Sequence, residues 1–302
     1  MRWGVLTHVA TQQSPREAFE DAIRLARAAE DLGFDSFWLA QHRFGAQGGM
    51  LPSPLMLLSA IARETDRIRL GTASIATLFE DPRRLLEDAA VLDALSGGRL
   101  ELGLGSGSAA DASRAWGSDH EDRHHRHWNA LDAVLDVVRH GIGVERLPVV
   151  PATDGLASRI WATCGSAESA LAAAERGLGL VVGRRRVGAD GPRAEDVRVA
   201  RLMGDYRRKA EVPRVALSRP VLATQDAKVD LDSLPSTLLA GSPEQVVDGF
   251  RDDPGLPLAD ELLVHTRPID APVDLEIASL RLLAEKVRPH LPPTNVTPVQ
   301  LN

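Results

Sequence analysis

Ala29-Glu30-Asp31-Leu32-Gly33-Phe34-Asp35-Ser36-Phe37-Trp38-Leu39-Ala40-Gln41-His42 holds the end of one element, a break and the whole of the next. Upstream of it, Ser14 as N-cap, Pro15 at the first helical position and Glu17 completing a capping box open a helix. Phe19, Ala22, Ile23, Ala26, Ala29 and Leu32 recur at helical spacing, and Gly33 supplies the stop. Asp35 to Ala40 then reads as a strand, and it delivers Gln41-His42 to the loop beyond its end.

The same beat runs in both directions. Trp3 to Val9 is a strand before that helix. After it come a helix from Pro54 to Thr65, a strand from Ile68 to Ile75, a helix from Pro82 to the Ser96-Gly97-Gly98 stop, and a strand from Arg99 to Leu104. The second half continues with a helix around Trp128 to Val138, a strand at Ile160–Thr163, a helix at Ala167–Arg176 and a strand at Leu178–Val182. A helix follows Pro192, and Val215–Leu217 with Val221–Leu222 forms the seventh strand. Ser242-Pro243-Glu244 opens another helix, Glu261–His265 is the eighth strand, and Val273 to Val287 the closing helix. Eight strands separated by helices is the count of a (β/α)8 TIM barrel, an α/β fold; an open doubly wound sheet shares the periodicity. No linker divides the chain, so residues 1–288 read as one domain and 289–302, rich in proline, as an extended C-terminal tail.

Composition narrows the function. The 302 residues are 44% hydrophobic and 25% charged, as in ordinary soluble domains. No apolar run nears the ~20 residues of a membrane span, and Met1 to Val9 is too short and lacks the cleavage site of a signal peptide. A formal charge of −7 argues against nucleic-acid binding. The lone Cys164 suits a reducing compartment, and a cytoplasmic location is expected.

In a barrel, residues just past each strand share one mouth. Here these are His8, His42, Ser74, Ser106, Gly165 with Ser166, Gly183, Thr224 and His265, so three of the nine histidines lie at the rim. Imidazole suits proton transfer near neutral pH; the plain alternative is a loop contact. Gly103-Leu104-Gly105-Ser106-Gly107 is not the G-x-G-x-x-G dinucleotide fingerprint, because its third glycine comes one residue early. Ser166 caps the helix that Ser169 enters, and a helix N-terminus of this kind takes either an ordinary cap or a phosphate. His120-Glu121-Asp122-Arg123-His124 matches H-E-x-x-H literally, but it sits in a polar stretch that reads as a loop and first helical turn; no metal site is assigned. Arg184-Arg185-Arg186 follows the sixth strand, either as a solvated loop or as an anchor for an anion.

Residues 29–42, Arg67 to Ser74, Asp93-Ala94-Leu95-Ser96-Gly97-Gly98-Arg99-Leu100, Gly103-Leu104-Gly105, Ala172 to Leu178 and Gly241-Ser242-Pro243-Glu244 occur in an order and spacing that resembles the luciferase-like flavin monooxygenases. That resemblance implies a (β/α)8 barrel binding FMN at its C-terminal mouth. It places catalytic His42 beside the flavin's reactive edge and a non-proline cis peptide at Ala73-Ser74 beneath the ring. Cofactor binding is implied for Ala73, Ser74, Gly105, Ser106, Gly165, Ser166, Ser169 and Arg184, with Ser166 and Ser169 at the phosphate. Position 41 is usually acidic in the family but is Gln41 here, and Ser106 stands where relatives often carry arginine. The connection from Gly141 to Arg159, which often covers the pocket, is short.

The resemblance further implies a monooxygenase that receives reduced FMN from a separate flavin reductase. Oxygen adds at the flavin C4a, and the hydroperoxide oxygenates a small organic substrate. The family's common assembly implies a homodimer. A second reading exchanges oxygen for hydride transfer with a deazaflavin on the same barrel, and a third is a non-catalytic flavin-binding protein.

Overall fold

In a computed structural model, residues 1–10, 13–142, 145–184, 191–266 and 271–291 are described. The first half comprises β1 (Arg2–Thr7), α1 (Pro15–Asp31), β2 (Ser36–Leu39), α2 (Pro54–Glu64), β3 (Arg69–Thr72), β4 (Ile75–Ala76), α3 (Pro82–Leu95), β5 (Leu100–Gly105), α4 (Ala110–Ala115) and α5 (Arg123–His140). The second half adds β6 (Ile160–Thr163), α6 (Ala167–Glu175), β7 (Gly179–Gly183), α7 (Gly191–Lys209), β8 (Val215–Ala223), β9 (Leu239–Gly241), α8 (Pro243–Arg251), β10 (Glu261–His265) and α9 (Val273–Leu282). Eight parallel strands, β1-β2-β3-β5-β6-β7-β8-β10, close into a barrel when β10 pairs with β1. The closed barrel is therefore the fold, and the open sheet is excluded.

Each helix forms where its signals stand. Ser14 and Glu17 make the reciprocal capping box on α1, and Ala18, Ala22, Leu25, Ala26 and Ala29 turn inward. Ser166 and Ser169 do the same for α6, and Ser242 and Gln245 for α8. The large hydrophobic core lies between strands and helices, while Leu6, Trp38, Trp161, Val181, Ala216 and Leu263 fill the barrel itself. Trp38 and Trp161 meet edge to face with centroids 5.7 Å apart. Their bulk explains two glycines: a Cβ at Gly71 would overlap the Trp38 indole, and one at Gly179 the Trp161 indole.

Below the tryptophans lies a polar layer. Trp38 Nε1 donates to Ser36 Oγ at 2.7 Å and Trp161 Nε1 to Glu101 Oε2 at 2.6 Å. Ser36 donates to Glu261, which Arg2 pairs at 2.8 Å, and Arg69 pairs with Glu101. Burial pushes the Glu261 carboxyl up from its usual range, and Arg2 opposes that shift.

Three local differences from the sequence reading have physical causes. The seventh strand does not break between Leu217 and Val221. It runs through Pro220, where the ladder passes from β7, last paired at Ser218, to β9, first paired at Val221. Proline removes no needed donor at such a change of partner. The strand from Ile68 to Ile75 is divided by the cis peptide at Ala73-Ser74 into β3 and β4. The closing helix ends as α-helix at Leu282 and continues through a π-helical turn, Leu283–Val287. The expected tail, 289–302, is described only to Leu291, which is buried; residues 292–302 lie outside the described residues. No helix among the described residues is long and apolar enough to cross a membrane.

Candidate active site

The C-terminal ends of the barrel strands carry the rim residues. β1 ends before His8, β2 before Gln41-His42, and β10 at His265. His42 is buried, 7% exposed, and its N–H donates to Leu51 O at 2.8 Å. Gly49 packs against the imidazole so closely that any Cβ there would overlap it. His8 Nδ1 lies 3.4 Å from His42 Nε2, and the His8 and His265 ring centroids are 5.9 Å apart.

Gln41 is tied down rather than presented to the mouth. Its Oε1 accepts Ala76 N–H at 2.8 Å, while Nε2 donates to Pro52 O at 2.9 Å and Glu80 Oε1 at 3.1 Å. A carboxylate at position 41 has no proton to donate to Pro52 O, and the acid here is Glu80, paired with Arg43. The Arg43 guanidinium in turn lies 4.8 Å from the Trp116 ring centroid and 5.3 Å from that of Phe79. Phe44 and Trp116, both exposed, complete an aromatic wall beside the mouth.

The peptide Ala73-Ser74 is cis, as the resemblance implied, and both residues are half-buried at the mouth. Gly105 closes on Ser74: a Cβ on it would overlap Ser74 Oγ and lie 3.7 Å from Thr163 Cβ. Thr163 is the last residue of β6 and is exposed, although the three residues before it are buried. The strand is thus buried along its length and accessible at its tip, at the C-terminal end of the barrel. Sequence reading passed Thr163 over; its place at the tip, one residue before Cys164-Gly165, was the available signal.

α6 begins at this edge. Ser169 N–H donates to Ser166 Oγ at 3.2 Å, Ser166 N–H to Ser169 Oγ at 3.2 Å, and the two hydroxyls are 2.9 Å apart. The Ser169 hydroxyl also donates to Ser166 O at 2.9 Å, so both hydroxyl protons are used within the cap, and an acceptor outside would have to draw one of them away. First-turn N–H groups and the helix dipole add to the pull on an anion. Arg198 of α7 donates to Gly165 O at 3.0 Å and is held by Glu195 at 2.7 and 2.6 Å. No pattern in α7 marked Arg198; only the packing of α7 on α6 brings it here. Arg184 is engaged elsewhere, bidentate to Asp196 at 2.8 and 2.9 Å and bonded to Thr237 O. Arg185 and Arg186 lie outside the described residues. Ser106 is half-buried between Gly105 and Gly107.

Beneath the site, Cys164 donates to Ser169 O at 3.3 Å, and burial pushes its thiol up to about 12, so it is no nucleophile. His120 and Glu121 precede α5, so the two histidines of H-E-x-x-H are not stacked on one helix; His120 Nδ1 meets Ser113 Oγ at 3.0 Å. Among the described residues no group of three or more His, Cys, Asp or Glu side chains is placed to hold a metal ion.

Comparison with known proteins gives a matching family, described as luciferase-like monooxygenase, over residues 1–230. The uncharacterized protein YwcH of Bacillus subtilis is 30% identical over 253 residues, 76% of this chain and 75% of that one. The uncharacterized protein y4wF of Sinorhizobium fredii is 32% identical over 142 residues, and the alkanal monooxygenase alpha chain of Photobacterium leiognathi 33% over 178. These matches take in 47% and 56% of this chain but only 41% and 50% of those relatives' lengths. Among solved structures, monooxygenase RslO1 from Streptomyces bottropensis superposes with a TM-score of 0.82 at 24% identity, covering 96% of this chain and 99% of that one. The oxygenating constituent of 3,6-diketocamphane monooxygenase from Pseudomonas putida, in complex with FMN, gives 0.75 at 18%, covering 96% and 98%. A coenzyme F420-dependent tetrahydromethanopterin reductase from Methanopyrus kandleri gives 0.70 at 15%, covering 96% and 99%. At these identities the structures establish a shared fold.

Proposed function

The chain belongs to the luciferase-like monooxygenase family, and from that premise we propose that it is a flavin-dependent monooxygenase. It takes reduced FMN from a separate reductase and uses dioxygen to oxygenate a small organic substrate. The observation that carries this reading is the cluster at the strand tips, where Gly105 closes on half-buried Ser74 and lies beside exposed Thr163, three residues before the Ser166–Ser169 cap of α6. A flat ring with a phosphorylated tail fits that donor set: small residues and a peptide plane under the ring, and hydroxyls with a helix N-terminus at the anion.

When bound, reduced FMN supplies the electrons that activate dioxygen. The chain supplies positioning and proton handling. Ser166 and Ser169 donate to the phosphate, with the α6 dipole behind them. Ala73-Ser74 and Gly105 set the floor of the ring site, and Gly105 permits Ser74 its position. His42, with Nε2 3.4 Å from His8 Nδ1, takes part in proton handling beside the reacting edge. Phe44, Trp116 and Phe79 line the approach and keep water from it. A homodimer belongs to the same proposal: Met56 on α2 and Val91 and Leu95 on the adjoining α3 are large apolar side chains left exposed.

The test is to supply the protein with reduced FMN, and separately with a reduced deazaflavin, with and without oxygen. The expected result is oxygen-dependent consumption of reduced FMN and a product carrying one added oxygen atom. Oxygen-independent oxidation of the deazaflavin alone would replace this reading with hydride transfer.

A further inference from the structure

The ends of three adjoining strands, β2, β1 and β10, bring His42, His8 and His265 into one row. His8 Nδ1 stands 3.4 Å from His42 Nε2, their ring centroids are 5.0 Å apart, and those of His8 and His265 5.9 Å. Burial is graded along the row. His42 is buried and backed by Gly49, while His8 and His265 are half-buried at the open side. His42 Nε2 therefore faces His8.

We propose that His8 is the imidazole that meets the reacting atoms and that His42 is the positioning residue behind it, the two rings working as one proton-holding pair. The proposal rests on the flavin reading for the reaction served, but the pair itself is a property of this chain. In the resting state His8 Nδ1–H donates to the Nε2 lone pair of His42, whose own proton sits on Nδ1. A proton released at the reaction centre bonds to the lone pair of His8 Nε2. The His8 Nδ1–H bond breaks as an N–H bond forms at His42 Nε2. His8 returns to neutrality, His42 becomes an imidazolium, and no electrons are exchanged. Reversing the shift returns the proton to the mouth.

Two rings in hydrogen-bond contact do not both carry a charge freely, so the proposal expects the pair to take up its protons in two shared steps. Among the described residues, the ionisable groups toward the same end of these elements include His265 on β10, Glu276 on α9 and Arg43 after β2, whereas Arg2 on β1 and Glu261 on β10 lie at the opposite end of their strands. Glu276 accepts from Thr266 Oγ1 at 3.0 Å, and Arg43 is neutralised by Glu80. Gln41 and Thr224 at the neighbouring rim positions do not titrate.

The experiment is a pH titration of the imidazole nitrogens by nitrogen-15 NMR in the flavin-free full chain. His8 and His42 are expected to show the same two inflections, and His8→Asn is expected to leave His42 with one inflection lying between them. Independent single inflections in the unsubstituted chain overturn the proposal without any variant. A second arm measures turnover with reduced FMN, where His8→Asn is expected to lose on the order of a hundredfold while FMN affinity stays within about twofold. Turnover that survives His8→Asn but not His42→Asn overturns the proposal and leaves the flavin reading intact. Coupled titration in a chain that oxidises no reduced flavin supports the pair and removes the flavin reading instead.

Discussion

Gly105 at the end of β5 and Ser74 in the break between β3 and β4 stand so close that a methyl group on Gly105 would overlap Ser74 Oγ. Gly105→Ala therefore displaces Ser74 and with it the floor of the proposed ring site. The substitution is expected to weaken FMN binding by about tenfold, ~1.4 kcal/mol, with the barrel still folded. Flavin-fluorescence titration measures the affinity and circular dichroism checks the fold. Unchanged affinity would show that Ser74 and Gly105 do not support the ring.

His127 couples this region to pH. It is 3% exposed, its Nδ1 bonded to Thr77 Oγ1 at 2.9 Å, and burial, with smaller contributions from His124 and Arg176, lowers its pKa to about 4. In the unfolded chain the same ring titrates near 6.5. Between about pH 6.5 and pH 4 the unfolded state thus binds a proton that the folded state refuses, and stability falls on acidification. Below pH 4 both states are protonated and this loss stops growing. The full effect is about 3 kcal/mol, and His127→Gln is expected to flatten that part of the stability curve. Parallel urea-denaturation curves for the two proteins across this window would refute the assignment.

Arg219 holds a charge deep behind β8. It is 2% exposed and bidentate to Asp253 at 2.5 and 3.1 Å, with Asp196 at 3.2 Å. Arg219→Met leaves Asp253 buried without its cation and is expected to cost about 3–5 kcal/mol. Adding Asp253→Asn to it is expected to recover part of that loss. Equal stability of the single variant and the parent, by chemical denaturation, would contradict this.

Much of the fold was legible because its signals are local. Ser14-Pro15 with Glu17, and Ser242-Pro243, state their helices in three or four letters, and short continuous apolar runs such as Phe37-Trp38-Leu39 state the strands, buried on both faces as in a parallel barrel. Several residues that carried the family resemblance serve the scaffold instead of the chemistry. Glu30 accepts the N–H groups of Arg67 and Ile68, each at 2.7 Å, below β3. Arg99 spends its guanidinium on Ser96 O, Thr65 Oγ1, Ile68 O, Ala62 O and Thr65 O, sealing the C-terminus of α2. Asp93 accepts Leu100 N–H and a bidentate Arg159.

The site was legible only where strand ends could be counted. His8, His42, Ser74 and His265 follow from that count, and so does the Ser166–Ser169 cap. Their mutual distances do not, because the distance from His8 to His42 depends on how Gly49 and Leu51 return beneath the ring. Arg198 and β9 left no trace: one is a charge in a polar helix, the other three residues without a pattern. Arg184 followed a strand as expected, yet Asp196 claims it through a helix packing that no local rule describes.

The proposed grip of Ser166 and Ser169 on a phosphate separates this account from an ordinary helix cap, and comparing FMN with riboflavin isolates it. Equilibrium titration of the unsubstituted chain is expected to give FMN at least tenfold the affinity of riboflavin. The double variant Ser166→Ala/Ser169→Ala is expected to lose that preference while riboflavin binding holds. Equal affinity for the two flavins in the unsubstituted chain, or none for either, would contradict the account.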